Sequence, residues 1–173
     1  MKLGDGVEQA IHVAAFLAGM PEGAVMSAAA LAEYHGVSAS YLLKHLQSLS
    51  GAGILDTVPG PQGGYRLGRA PARITLLDVV LAVEGAEPAF RCKEIRRRGP
   101  GAETISARLL AAPCQINAAM LRAERAWRAE LAAVSIADIA AETARTDDGT
   151  IAARGCAFIA RHGRGLPSGK DGT

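Results

Sequence analysis

Residues 27–67 constrain the fold more tightly than any other stretch of the chain. Ser27 stands where a helix N-cap belongs, ahead of a short helix predicted over Ala28–Tyr34 with Leu31 facing inward. His35-Gly36-Val37 follows as a tight turn, and Ser38 caps a further helix running to about Ser50. Leu42, Leu46 and Leu49 recur at helical spacing and face inward, leaving Ser40, Tyr41, Lys44, Gln47 and Ser48 outside. Two helices joined by a short glycine-containing turn, the second with a polar outer face, form a helix-turn-helix pattern. Ile54–Val58 then reads as a strand, Pro59–Gly64 as a loop of turn formers, and Tyr65-Arg66-Leu67 as the returning strand. A hairpin directly after the second helix is a wing. Gly63 and Gly64 carry no Cβ, so the backbone there is expected to approach a phosphate or groove wall closely, bracketed by Arg66 and Arg69.

The flanking segments fit around this unit. Gly4 to Gly19 predicts a first helix with a buried stripe of Val7, Ile11, Ala14, Ala15 and Ala18. Glu8 and His12 lie four apart beside that stripe, neighbours on one face. After the wing, Thr75 caps a helix with Asp78 at the capping-box position and Gly85 as the stop. Residues 1–86 therefore read as one winged-helix domain. Abundant alanine and only 4% aromatic residues suit a mainly α chain. The first 80 residues hold five Lys/Arg against six Asp/Glu, so a DNA reader built this way must place few cations well rather than rely on bulk charge.

Residues 87–113 form a basic, glycine-broken stretch carrying Arg91, Cys92, Lys93, Arg96, Arg97 and Arg98, with Cys114 immediately after it. The basic run is expected to touch the DNA backbone or to favour a more negative, reduced centre. Pro113 suits a helix's first turn. Ile116, Met120, Ala123, Trp127, Leu131 and Val134 then follow at steps of three and four, a coiled-coil-like seam predicting a long dimerisation helix and a homodimer. Residues 114–144 take in that helix and a short one beginning at Ser135. Residues 145–173 read as a flexible tail, holding at most one short turn of helix, with Cys156 and His162 as bystanders. The opening residues resemble no signal peptide and no apolar run approaches a membrane span, which predicts a cytoplasmic protein with no membrane partner. Three cysteines in such a compartment suggest metal or redox chemistry. No Walker loop, GxSxG or HExxH appears, so nothing points to an enzyme.

MKLGDGVEQAIHVAAFLA, VSASYLLKHLQSLSGAGIL, GPQGGYRL and ARITLLDVVLAVEG, in this order and spacing, resemble the iron–sulfur winged-helix transcriptional regulators that include IscR, NsrR and RsrR. Glu8, His12, the run from Cys92 to Arg98 and CQINAAMLRAERAWRAELA are most similar to the RsrR type, a [2Fe–2S] redox sensor. The resemblance covers roughly residues 1–140. It implies binding of a pseudo-palindromic operator in double-stranded DNA, with Ser38, Ser40, Tyr41 and Lys44 in the DNA-reading helix and Gly63, Gly64, Tyr65 and Arg66 in the wing.

Cys92 and Cys114 are separated by 21 residues and the chain has no CxxC, which speaks against a zinc ribbon. It also departs from the family's commoner set of three closely spaced cysteines. A [2Fe–2S] cluster needs four protein ligands, and histidine replaces cysteine in some. Glu8 and His12 are the best candidates for the missing two, and the resemblance implies that the other subunit's first helix supplies them. Imidazole donates less charge than thiolate, so the potential should sit above that of an all-cysteine ferredoxin. The oxidised dimer is expected to bind its operator, with reduction shifting the first helix against the reading helix. The alternative keeps the winged helix and uses Cys92 and Cys114 as a metal-free thiol–disulfide switch.

Overall fold

The computed structural model describes residues 3–166. The elements run α1 (Asp5–Ala18), α2 (Ala28–His35), α3 (Ala39–Gly51), β1 (Leu55–Val58), β2 (Gly64–Leu67), α4 (Leu76–Glu84), α5 (Ala107–Ala111), α6 (Gln115–Ala133), α7 (Ile136–Thr146) and α8 (Thr150–His162). This is a mainly helical chain with a two-stranded antiparallel wing, as the sequence predicts.

The caps that mark the helices in the sequence also start them in the fold. Ser27 accepts from the Ala30 N–H and Ser38 from the Tyr41 N–H, each satisfying an orphan donor of a first turn. Gly36 ends α2 in the left-handed conformation (φ 65°), which costs glycine little. Thr75 and Asp78 form the expected capping box. A second one, Ser135 with Asp138, starts α7.

The core lies where α1, α2, α3 and α4 meet, and Leu31, Leu42, Leu46, Leu49, Ile54, Ile74 and Val79 are sealed within it. The buried face of α1 is rotated from the expected one. Val7, Ala10, Val13, Ala14 and Leu17 are inside, whereas Ile11, Ala15 and Ala18 are only partly covered. Neighbours enclose α1 on several sides, α3, α4 and α7 among them, and its small residues Ala10 and Ala14 let those helices come close.

The wing pairs Leu55 with Leu67, Asp56 with Arg66, Thr57 with Tyr65 and Val58 with Gly64. Two further pairings widen it: Met26 with Tyr65, and Val25 with Arg164. From α4 the chain leaves the core along α6 and returns at Ile136, whose N–H donates to the Ile74 carbonyl at 2.8 Å. No residue of α6 is buried, and Ile116 and Met120 stand 64% and 44% exposed. Trp127, half-buried, lines a cleft with Leu3, Val80 and Leu81.

The clearest departure is the expected tail. Residues 150–162 form the regular helix α8, and Phe158 is buried against the core. Its ring meets Tyr34 edge-on at 5.1 Å and stacks on His162 at 4.2 Å, while Tyr34 in turn packs on Phe16 at 4.3 Å. Arg154 lies over the Tyr34 ring at 4.4 Å and donates to the Tyr34 carbonyl. Aromatic stacking and a cation over a ring thus fasten a helix whose sequence carries few large apolar residues. The end of the expected tail, residues 167–173, lies outside the described residues.

Candidate DNA interface and cysteine pair

Helix α3 presents Ser38, Ser40, Tyr41 and Lys44 at the surface. Ser38 is engaged with its own helix, through the cap and a 3.0 Å hydrogen bond to the Ser40 hydroxyl. Tyr41 is 45% exposed, and its ring meets the His45 imidazole edge-on at 4.7 Å. His45 is buried, and its Nε2 has no hydrogen-bond partner. Its pKa is lowered, first by burial and then by the Lys44 charge, against an opposing pull from Glu84. Sequence reasoning passed over His45, although it lies three residues after Leu42 and four before Leu49, inside the same inward stripe.

The wing glycines serve the wing itself. Gly63 is buried, and a Cβ there would fall 2.0 Å from the Val58 carbonyl oxygen. A Cβ on Gly64 would fall 2.4 Å from the Met26 carbonyl oxygen. The close approach that needs glycine is therefore to the protein's own backbone, and Tyr65 leans against the core. Arg66 is exposed but 3.6 Å from Asp56, and Arg69 is 3.3 Å from Asp78. Surface pairs of this kind contribute little and exchange readily for another anion.

The basic stretch folds into a loop that brings Cys92 and Cys114 together. Cys114 sits at the N-cap of α6, half-buried, and Cys92 is exposed. The Cys114 thiol is held below the usual thiol pKa by the N–H of Asn117 above all, with the Ile116 N–H, the neighbouring Cys92 thiol and the Arg96 charge adding to it against burial. The Glu94 N–H donates to the Cys92 sulfur at 3.4 Å. A helix N-terminus and a nearby guanidinium thus favour the thiolate at Cys114.

Arg96 holds this loop closed. It donates to both carboxylate oxygens of Glu94, at 2.6 and 3.0 Å, and to the carbonyls of Leu109 and Ala112, at 3.2 and 3.0 Å. Glu94 adopts φ 48°, the non-glycine exception among the positive-φ residues described. Of the basic run expected to touch the DNA backbone or to favour a more negative centre, Arg96 is tied into the loop that carries Cys92, with its charge beside Cys114. Arg91 pairs with Glu87 at 3.8 Å, and Lys93, Arg97 and Arg98 are exposed. Nothing in the sequence marks Arg96 off from its basic neighbours.

Glu8 and His12 are both exposed on α1, and the His12 ring lies 6.0 Å from that of His35. His35 is pushed down to about 4, first by burial, then by the charges of His12 and Arg154. Among the described residues, no three His, Cys, Asp or Glu side chains gather where they could hold a metal ion. One chain therefore brings Cys92 to Cys114 but does not bring Glu8 and His12 to them.

Residues 3–142 match the family described as Rrf2, iron-dependent transcriptional regulator. The chain belongs to the Rrf2 family. It is 37% identical to the HTH-type transcriptional regulator YffB of Lactococcus lactis subsp. lactis (strain IL1403) over 143 residues, which span 83% of this chain and 89% of that protein. It is 39% identical to the HTH-type regulator YwgB of Bacillus subtilis (strain 168) over 93 residues, 54% of this chain and 60% of that one. Two solved structures share the Rrf2 fold. CymR (YrzC), the global cysteine regulator of B. subtilis, superposes with a TM-score of 0.61 at 23% identity, over 83% of this chain and 98% of that one. IscR of T. potens gives 0.61 at 19% identity, over 88% and 96%. The Rrf2 match ends at residue 142, so α8 lies beyond it. No helix among the described residues is long and apolar enough to cross a membrane.

Proposed function

We propose that this Rrf2 regulator works as a homodimer whose affinity for an operator in double-stranded DNA follows the redox state of a [2Fe–2S] cluster. Cys92 and Cys114 would hold it together with Glu8 and His12 of the partner subunit. The observation that carries this reading is the pairing of two thiols across 21 intervening residues, one at a helix N-terminus beside a guanidinium. Such a pair supplies half of a four-ligand sphere. Glu8 and His12 are exposed one helical turn apart on α1, available to a second chain. When bound, the cluster supplies a reversible one-electron change.

The chain's own residues do the rest. Arg96 fixes the loop that carries Cys92 relative to Cys114. Helix α1 packs against α3, so tension on Glu8 or His12 reaches the reading helix. Ser40, Tyr41, Lys44 and Arg66 are proposed to meet DNA, while Ser38 caps α3 and Gly63, Gly64 and Tyr65 shape the wing. The test is anaerobic purification with iron and sulfide determination. Two irons per site and visible absorption that dithionite bleaches are expected. Cys92→Ala or Cys114→Ala should abolish both, and Cys156→Ala should leave them intact. Equal operator affinity in the oxidised and reduced states would sink the switch.

The same thiol pair favours a second reading, a metal-free switch. There a peroxide oxidises Cys92 and Cys114 to a disulfide: the two thiols give up two electrons and two protons, and the peroxide is reduced to two waters. Colourless protein that loses two hydrogens in mass on oxidation, and none in the Cys114→Ala variant, would select it.

A further inference from the structure

The wing has only four residues in each strand, and a two-stranded hairpin alone is marginal in water. Two layers of backbone support it on its open side. Met26 exchanges hydrogen bonds with Tyr65 at 3.0 and 2.8 Å. Val25, whose polar groups point the other way, exchanges them with Arg164 at 2.9 and 3.0 Å. Arg164 comes from the segment after α8, beyond the residues that match the Rrf2 family. Its backbone is thereby fixed, and Gly165 turns the chain with φ 66° close to the Gly23 carbonyl.

From that anchored position the Arg164 side chain reaches the tip of the wing. Nη1 donates to the Pro61 carbonyl at 2.8 Å and to the Gly63 carbonyl at 3.0 Å. These acceptors flank Gln62 in a loop whose own internal tie is the hydrogen bond from the Gly63 N–H to the Gly60 carbonyl. A charged donor bridging two carbonyls holds them at one separation more firmly than a neutral one. Upstream, Phe158 and Arg154 lock α8 to α1 and α2. Helix α8 and the segment after it are thus joined to both the helical core and the wing tip.

We infer that Arg164 is a positioning residue for DNA binding: it sets the conformation of the wing tip, Pro59–Gly63, through the Pro61 and Gly63 carbonyls. This rests on the reading that the wing meets DNA. The guanidinium acts on the loop and not on a phosphate, so its loss should weaken binding without removing a cation–phosphate contact.

The test uses the full chain, with a duplex selected by the wild-type protein from random sequences. Arg164→Ala and Arg164→Lys are compared with wild type in two measurements. Amide exchange at Gly63 reports the tip, and duplex affinity is measured across a salt series. Arg164→Ala should speed Gly63 exchange about tenfold and weaken binding about tenfold, as loss of a charge-assisted hydrogen bond predicts. Arg164→Lys, which keeps a charged donor, should recover part of both effects. The slope of log affinity against log salt should stay at the wild-type value. A slope shallower by about one would mean that Arg164 contacts a phosphate directly, and would overturn the inference. Unchanged affinity with faster exchange would overturn it too, as would unchanged exchange. Failure of the wild-type protein to select any duplex would instead bring down the DNA-binding reading on which the inference stands.

Discussion

The imidazole of His45 fills the space that a side chain on Gly6 would need: a Cβ there would lie 2.3 Å from the ring's Cε1. Helices α1 and α3 therefore cross with ring against backbone and no slack between them. Tyr41 meets the same imidazole edge-on. One ring thus touches both α1 and a residue proposed to meet DNA.

Gly6→Ala should force that crossing apart. Overpacking of this kind costs about 1–3 kcal/mol. Denaturant unfolding should show the loss as a lower midpoint at unchanged slope, and operator affinity should fall in the same variant. Gly6→Ala combined with His45→Ala should recover much of the stability, because the ring that collides has gone.

Acid should weaken the fold through the histidines. His35 is held at about 4 against an ordinary value near 6.5 and His45 is also lowered, so the unfolded chain binds protons that the folded chain refuses. Stability is complete above about pH 6.5 and declines as the pH drops toward 4. For half-covered His35 the slope should be roughly half of the ideal 1.4 kcal/mol per pH unit. Unfolding midpoints measured from pH 7.5 to 4.5 check this, and His35→Gln should flatten the profile.

Arg96→Ala should release the loop between Cys92 and Cys114. In reduced, metal-free protein the Cys114 thiol should then react several-fold more slowly with iodoacetamide at pH 7, since part of what favours its thiolate is gone. Arg96→Lys should not restore the rate, because one ammonium cannot fork to Glu94 and reach two carbonyls as well. An unchanged rate in Arg96→Ala would leave the helix N-terminus alone responsible.

Ile116 and Met120 stand exposed on α6 next to Cys114, and are proposed to lie between subunits. Ile116→Asp should raise the dimer dissociation constant about thirtyfold or more, the scale of an interface hot spot. Sedimentation equilibrium measures it. A dimer of unchanged strength would place the interface elsewhere.

The winged helix was legible because its signals are local. Ser27, Ser38 and Thr75 with Asp78 are caps that work within three residues, and Leu42, Leu46 and Leu49 repeat at the period of the helix they form. The rest depended on distant partners. Helix α8 looks like a tail because Gly155 interrupts it and its large apolar residues are few, yet Asp147 and Asp148 accept from the N–H groups of Thr150, Ile151 and Ala152. That start signal stood in the sequence, and the aromatic partners across the fold did not. Arg96 is the same case: one arginine in a basic run, distinguished by carbonyls 13 and 16 residues away. Cys92 and Cys114 could be named as a pair from the sequence, but what joins them could not.

The pairing of Val25 with Arg164 also bears on how the chain behaves in a crowded cell. A strand whose N–H and C=O groups face water is a template for another molecule's strand, and natural sheets cover such edges. Here the last turn of the described chain is the cover. A protein cut after α7 would expose both Val25 and the aromatic faces of Phe16 and Tyr34, and would be prone to add to its own copies. The C-terminal segment therefore covers that edge and those rings.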